Sequence, residues 1–272
     1  MGNFSVPSIL LMLFLTLPPV QQPSAPAPSA DAGSTFIPRV PPPPETASAQ
    51  ELETQGDSLR AKKLYLDSID YYRAAIKKSK SNTAVLHNKA GISLLLLDRN
   101  KEAKKEFQAA IKLDKNYSEA YNNLGALFYN TRRWGAAIKQ YKKAIALEDG
   151  NASFHSNLGT AYFSERDYDH AVVEYQTAMQ LDPQIFDRQA SGGVAVRLIT
   201  SNDLGHFHYV MAQMYGLHGD VERCRYYLSK ANEEGYPTRD ALRDKVFARL
   251  RKDPDFVAFV RSLKSSSADA SE

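Results

Sequence analysis

Few residues in this chain have the types that could do chemistry, and they are scattered. The histidines are His87, His155, His170, His206, His208 and His218, and the one cysteine is Cys224. A metal needs several ligands converging on one point. His87 and His155 fall at the same place in alternate copies of a repeated unit, about two helical hairpins apart, so they cannot share an ion. His206, His208 and His218 would meet only by an accident of packing. One cysteine leaves neither an intramolecular disulfide nor a cysteine-based zinc site. Ser191-Gly192-Gly193 resembles a phosphate-cradling loop, but no Lys-Ser/Thr follows, and HExxH and GxSxG are absent. Carboxylates are plentiful, yet none is marked by its surroundings as a tuned acid or base. The expectation is no catalysis, no cofactor and no metal.

With 272 residues, 43% hydrophobic and 24% charged, the chain suits one or two packed soluble units. A net charge of +3 is too small to imply nucleic acid, and no aromatic RNA-binding signature accompanies it. The charge is uneven, because residues 1–30 carry none. Within them Ile9–Leu17 (ILLMLFLTL) matches the apolar core of a secretory signal and is short for a membrane span. Small residues at Ala25-Pro26-Ala27 and Pro28-Ser29-Ala30 offer cleavage points. No Lys or Arg precedes the run, which keeps an uncleaved anchor open as the alternative. No Cys follows it, against a lipid-anchored lipoprotein. The expectation is export, periplasmic or secreted, with the membrane touched only through an uncleaved segment. Residues 31–48 continue a proline-rich stretch ending in Pro41-Pro42-Pro43-Pro44, expected as an extended, solvated spacer.

The strongest signal is self-similarity. Segments 49–83, 84–117, 118–151 and 152–185, written under one another, place Gly56, Gly91, Gly125 and Gly159 at position 8. Position 20 holds Ser68, Ala103, Ala137 and Ala171. Position 24 holds Tyr72, Phe107, Tyr141 and Tyr175, and position 27 holds Ala75, Ala110, Ala144 and Ala178. Apolar positions 4, 7, 8 and 11 form the stripe of one helix, and 20, 24, 27 and 28 that of a second. Small residues at 8, 20 and 27 let the two backbones approach, and the ring at 24 fills the space between pairs. Trp134 is expected as a core wedge, and Cys224 as an inert thiol at a close-contact position. A single hairpin cannot bury both faces, so the pairs must stack.

The pattern resembles the tetratricopeptide repeat family. Units 118–151 and 152–185 carry it best, through Leu124-Gly125, Phe128, Trp134, Ala137, Tyr141 and Ala144, then Leu158-Gly159, Tyr162, Tyr168, Ala171, Tyr175, Ala178 and Pro183. A degenerate fifth unit, 205–238, has Ala212 where the glycine would be, followed by Tyr215, Gly219-Asp220, Cys224, Leu228 and Ala231. The resemblance implies an all-α, right-handed solenoid of about five stacked hairpins. Residues 186–204 are an insertion, either functional or a tolerated spacer. Residues 239–264 have the charged amphipathic pattern of a helical cap, with helical spacing at Leu242, Val246, Phe247 and Leu250. Residues 265–272 form a polar tail expected to be disordered.

In such a solenoid the first helices line a concave groove, with positions 2, 5, 6, 9, 12 and 13 facing it. Positions 5 and 6 are Glu53/Thr54, Asn88/Lys89, Asn122/Asn123 and Ser156/Asn157. Asparagine offers a donor and an acceptor together, which suits the backbone of an extended peptide. The repeat region of the O-linked N-acetylglucosamine transferase family uses an asparagine ladder of this kind. Here the matching rungs are Asn123 and Asn157, with Lys89 in place of the one before. Tyr129, Asn130, Thr160 and Phe163 complete the candidate groove. The set of charged groove residues that clamps chaperone tails in other repeat proteins is incomplete. Lysines such as Lys104, Lys139 and Lys143 on the second helices are expected to be a solvated outer face. The expectation is a non-catalytic scaffold holding a peptide or protein. The alternative is an assembly subunit of a cell-envelope complex that works through the convex face and the cap.

Overall fold

The computed structural model describes residues 39–81, 83–186 and 201–263. The expected signal, residues 31–38 of the spacer, the core of the insertion and the polar tail lie outside them. The chain divides into residues 1–39 and 40–272, and every described helix belongs to the second unit. Among the described residues that unit is helical throughout, without a strand.

Four hairpins run α1 (Ala49–Ala61) with α2 (Tyr65–Lys78), α3 (Ala84–Leu96) with α4 (Asn100–Leu113), α5 (Ser118–Asn130) with α6 (Trp134–Leu147), and α7 (Ala152–Ser164) with α8 (Tyr168–Leu181). A fifth pairs α9 (Ser201–His218) with α10 (Val221–Glu233). Each second helix packs on the next first helix, α8 on α9 included, so the stack is continuous across the insertion. The last four residues of that insertion are helical, because α9 begins at Ser201.

The repeat columns are the core. Every residue at positions 20 and 27 of the first four units is fully buried. A β-carbon placed on Gly56, Gly91, Gly125 or Gly159 would stand 2.6–2.7 Å from the ring at position 24 of the same hairpin. In the fifth unit the ring gives way to Leu228 and the glycine to Ala212, both fully buried. The smaller side chain on one helix accommodates the larger one on the other.

The turns inside the hairpins also repeat. Lys63, Asp98, Arg132 and Arg166 have φ of 61°, 55°, 57° and 64°, and Gly219 occupies the same place with φ 87°. Each is followed by an amide that reaches back across the helix end, as Arg133 N does to the Phe128 carbonyl at 2.8 Å. That closure satisfies a carbonyl the helix leaves open.

Two expectations change. Trp134 lies at the first residue of α6, half-buried and packed on the edge of the core, with one side left to water by its place at the helix end. Residues 239–252 form three short 3₁₀ turns (Thr238–Leu242, Lys245–Phe247, Leu250–Lys252) instead of one α-helix, followed by α11 (Pro254–Ser262). Asp244 breaks the run: its carboxylate accepts Val246 N at 2.9 Å and its carbonyl accepts the Arg251 guanidinium at 2.5 Å. The turns deliver Phe247 onto Gly216, where a β-carbon would lie 3.0 Å from the ring. Phe247 and Phe256 are both fully buried and close the end of the stack.

The other end is closed by the spacer itself. Val40 and Ala47 pack against the first hairpin. Tyr71 donates its hydroxyl to the Pro41 carbonyl at 3.2 Å, and Lys78 donates to the carbonyls of Glu45 and Ala47. Ser48 and Glu51 then cap α1 reciprocally. The segment from Val40 to Ala47 therefore lies on the fold, where the sequence suggests a solvated spacer.

Candidate functional site

The candidate groove residues meet one another across unit boundaries in a single register. Asn123 donates its amide to Asn88 at 2.9 Å, and Asn157 donates to Asn122 at 2.9 Å. In each case position 6 of one unit bonds position 5 of the unit before. Lys89 repeats the rule with charge, donating to Glu53 at 2.6 Å and also to Asp57, at position 9, at 2.6 Å. Asn122 reaches Asn123 at 3.4 Å, and Asn88 donates to the Tyr117 hydroxyl at 3.1 Å. The amides thus form one relay, Asn157–Asn122–Asn123–Asn88–Tyr117, along three consecutive first helices. Each of Asn122 and Asn123 uses one N–H and one lone pair in the relay and keeps another of each.

Not every candidate is offered to a ligand in the same way. Asn122, Asn123, Asn157 and Lys89 are partly exposed and Asn130 is exposed. Tyr129 and Phe163 are 4% and 5% exposed; the first bonds Ser164 at 3.0 Å and the second meets Tyr168, His206 and Phe207 edge-on. They shape the wall behind the face. Asn88, Ser156 and Thr160 are likewise buried, Thr160 donating to the Ser156 carbonyl and accepting from Tyr175.

The charged end of the face is internally neutralised. Burial alone would raise the Asp57 carboxyl, but the bonds from Lys89 and Tyr72 outweigh it and hold it below the usual carboxylate value. Burial likewise opposes the Lys89 ammonium, and its two carboxylates still push its pKa up.

At the other end the register continues into a cleft of about 450 Å³, lined by Tyr168, Asp169, His206, Tyr209, Gln213, Tyr236, Asp240, Arg243 and Asp244. Asp244 accepts from Tyr209 at 3.0 Å and from Gln213 at 2.6 Å. Those are positions 5 and 9 of the fifth unit, and Asp244 falls where position 6 of a sixth would be. It stands to that unit as Lys89 stands to Glu53 and Asp57, with the sign of the charge reversed. Four rings run along the cleft, with centroids 3.6 Å apart for Tyr168 and His206, 4.9 Å for His206 and Tyr236, and 4.7 Å for Tyr236 and Tyr209. Sequence reasoning passed over this cleft. Its signal was the fifth-unit register itself, which puts His206, Tyr209 and Gln213 at positions 2, 5 and 9.

Elsewhere, His87 pairs with Glu106 at 2.6 Å and His155 with Glu174 at 2.7 Å, the same two positions in alternate units. These tie the two helices of one hairpin together. Among the described residues no group of His, Cys, Asp and Glu is placed to hold a metal ion, and no helix is long and apolar enough to cross a membrane. The Cys224 thiol is fully buried, and that burial, followed by the negative charge of Asp220, pushes it up to about 12.

Stacked hairpins with a ring-on-glycine seam and a continuous first-helix face define a helical repeat solenoid. Family models described as TPR repeat or tetratricopeptide repeat match residues 84–117, 133–165 and 152–185. Residues 84–117 and 133–185 thus carry tetratricopeptide repeats. No curated protein matches it. Among solved structures, pilF of Pseudomonas aeruginosa aligns with TM-score 0.50 and 16% identity, over 78% of this chain and 88% of that one. MamA (41-end) from Desulfovibrio magneticus RS-1 aligns with TM-score 0.49 and 18% identity, over 68% and 94%. YrrB, described as a TPR protein with an unusual peptide-binding site, aligns with TM-score 0.46 and 16% identity, over 75% and 92%. At such identities the likeness is one of fold.

Proposed function

We propose that the protein is a non-catalytic scaffold that holds an extended peptide or protein segment along the face of its first helices. The observation that carries this reading is the amide relay from Asn157 to Asn88. The relay fixes each amide in place, so a bound backbone meets donors and acceptors already oriented, and less conformational entropy is lost on binding. Asn122, Asn123, Asn157 and Asn130 supply the polar contacts, and Tyr129 and Phe163 hold the wall they stand on.

The test is selection of peptides from a random library on the full-length protein, followed by affinity measurement on the Asn122→Ala/Asn123→Ala variant. Binding should weaken at least about tenfold, while a thermal melt confirms that the stack is still folded. Unchanged affinity would exclude the groove. Loss of binding only on removing residues 239–264 would favour the assembly role of the cap. We also propose export of the protein, on the apolar run Ile9–Leu17. Mass spectrometry of the mature N-terminus from native cells checks this, and an intact Met1 in a soluble fraction would overturn it.

A further inference from the structure

We propose that the cleft at the fifth unit is a subsite for a basic side chain, lysine or arginine, of the segment held along the asparagine face. The subsite rests on the proposed groove and gives one end of that groove its chemistry.

Continuity comes first. Tyr209 occupies the position that Asn88, Asn122 and Ser156 occupy in earlier units, so a chain following the relay toward the cap arrives at this cleft. Its volume, about 450 Å³, leaves room for one long side chain, and it is open to solvent on one side.

Charge decides what the group is. Three carboxylates, Asp169, Asp240 and Asp244, line the cleft against one guanidinium, Arg243. None of the three takes part in an ion pair among the described residues, and Arg243 makes none with them. The bonds that the Asp244 carboxylate accepts, from Tyr209, Gln213 and Val246 N, come from neutral donors, and the Arg251 guanidinium binds the Asp244 carbonyl instead of the carboxylate. The contrast lies within the same protein. At the first unit, Glu53 and Asp57 are answered by Lys89 of the next hairpin. At the fifth unit the described chain runs on into the 3₁₀ turns, which bring Asp244 to the place that such a lysine holds at the first unit, and the carboxylates face an open cleft.

The rings favour the same ligand. Tyr168, His206, Tyr236 and Tyr209 form an unbroken aromatic run beside the carboxylates, and aromatic faces attract ammonium and guanidinium groups. The Tyr209 and Tyr236 phenols sense the negative surroundings: burial first, then the charges of Asp244 and Asp240, push both upward, so they stay neutral.

The experiment uses peptides selected on the full-length protein. Those bound by the wild type should share a Lys or Arg at one register. Asp169→Asn/Asp240→Asn changes two exposed carboxylates that take no part in the packing or the relay. It should weaken such a peptide about tenfold, and replacing the peptide's basic residue with Gln should cost the wild type about the same. In the variant that second change should cost clearly less, because only Asp244 and the rings still face the basic group. Selected peptides with no basic register, or an equal loss from the Gln change in both proteins, would overturn the subsite while leaving the groove standing. Failure of the groove shows differently. If Asn122→Ala/Asn123→Ala left affinity intact, the relay would be excluded and the basic register could still stand. If no peptide were enriched on the wild type, both would fall.

Discussion

Asp244 holds Tyr209 by its hydroxyl at 3.0 Å in the same register in which Asn123 holds Asn88, so the cap continues the repeat's own inter-unit bond with residues that are no longer a repeat. Asp244→Ala should therefore undo more than a turn. It removes the acceptor of Tyr209, Gln213 and Val246 N together. A buried donor left unpaired costs about 1–3 kcal/mol. Hydrogen exchange should show 239–263 opening ahead of the first four hairpins, and equal protection across both would count against this role.

The seam between paired helices has no slack. A β-carbon on Gly125 would sit 2.6 Å from the Tyr141 ring, whereas one on Gly150 meets nothing within 4 Å. Overpacking a tight core costs about 1–3 kcal/mol. Gly125→Ala should lower the urea midpoint accordingly, and Gly150→Ala should leave it within about 0.5 kcal/mol of wild type. Equal effects would remove the ring-on-glycine contact as the reason for the glycine column.

Arg132 carries the opposite strain. Its φ of 57° is a conformation that side chains resist, and the fifth unit meets the same demand with Gly219. Arg132→Gly should raise stability by up to about 1 kcal/mol, offset in part by the greater freedom of glycine in the unfolded chain. A lower melting temperature would refute the strain.

The Lys89 cluster predicts a pH window. Asp57 has its folded pKa depressed, so its contribution is present above the unfolded value of about 3.9 and is lost as pH falls through the folded one. Lys89 has its folded pKa raised, so its share is full below an unfolded value of about 10.4 and is lost as pH rises beyond the folded one. The stability difference between wild type and Lys89→Gln should be flat from about pH 5 to 9 and shrink outside it. At the plateau it should be about 1 kcal/mol, since the groups are only partly buried. A difference independent of pH would mean the lysine acts by packing alone.

Cys224 should be silent in the native state. With its thiol buried and its pKa pushed up to about 12, almost no thiolate exists at neutral pH. A thiol reagent should label it only after unfolding. Cys224→Ala, which restores the residue found at position 20 of three other units, should cost less than about 1 kcal/mol. Rapid native labelling would place the thiol at the surface.

Spacing alone determined the hairpins, their number among the described residues, and the small and ring-bearing columns that join them. That part could be read because each hairpin repeats one local packing problem, and a period of 34 residues leaves its mark at every copy. What tertiary structure decided lies between copies and at the ends. The asparagines are legible as a column, but only stacking shows position 6 bonding position 5 of the preceding unit. Only stacking likewise buries Tyr129 and Phe163 behind the face instead of on it. The 3₁₀ cap, the folded-back Val40–Ala47 strap and the acidic cleft occur once each, so no periodicity announces them. They arise where a solenoid runs out of neighbours and must bury its last faces with whatever chain is at hand.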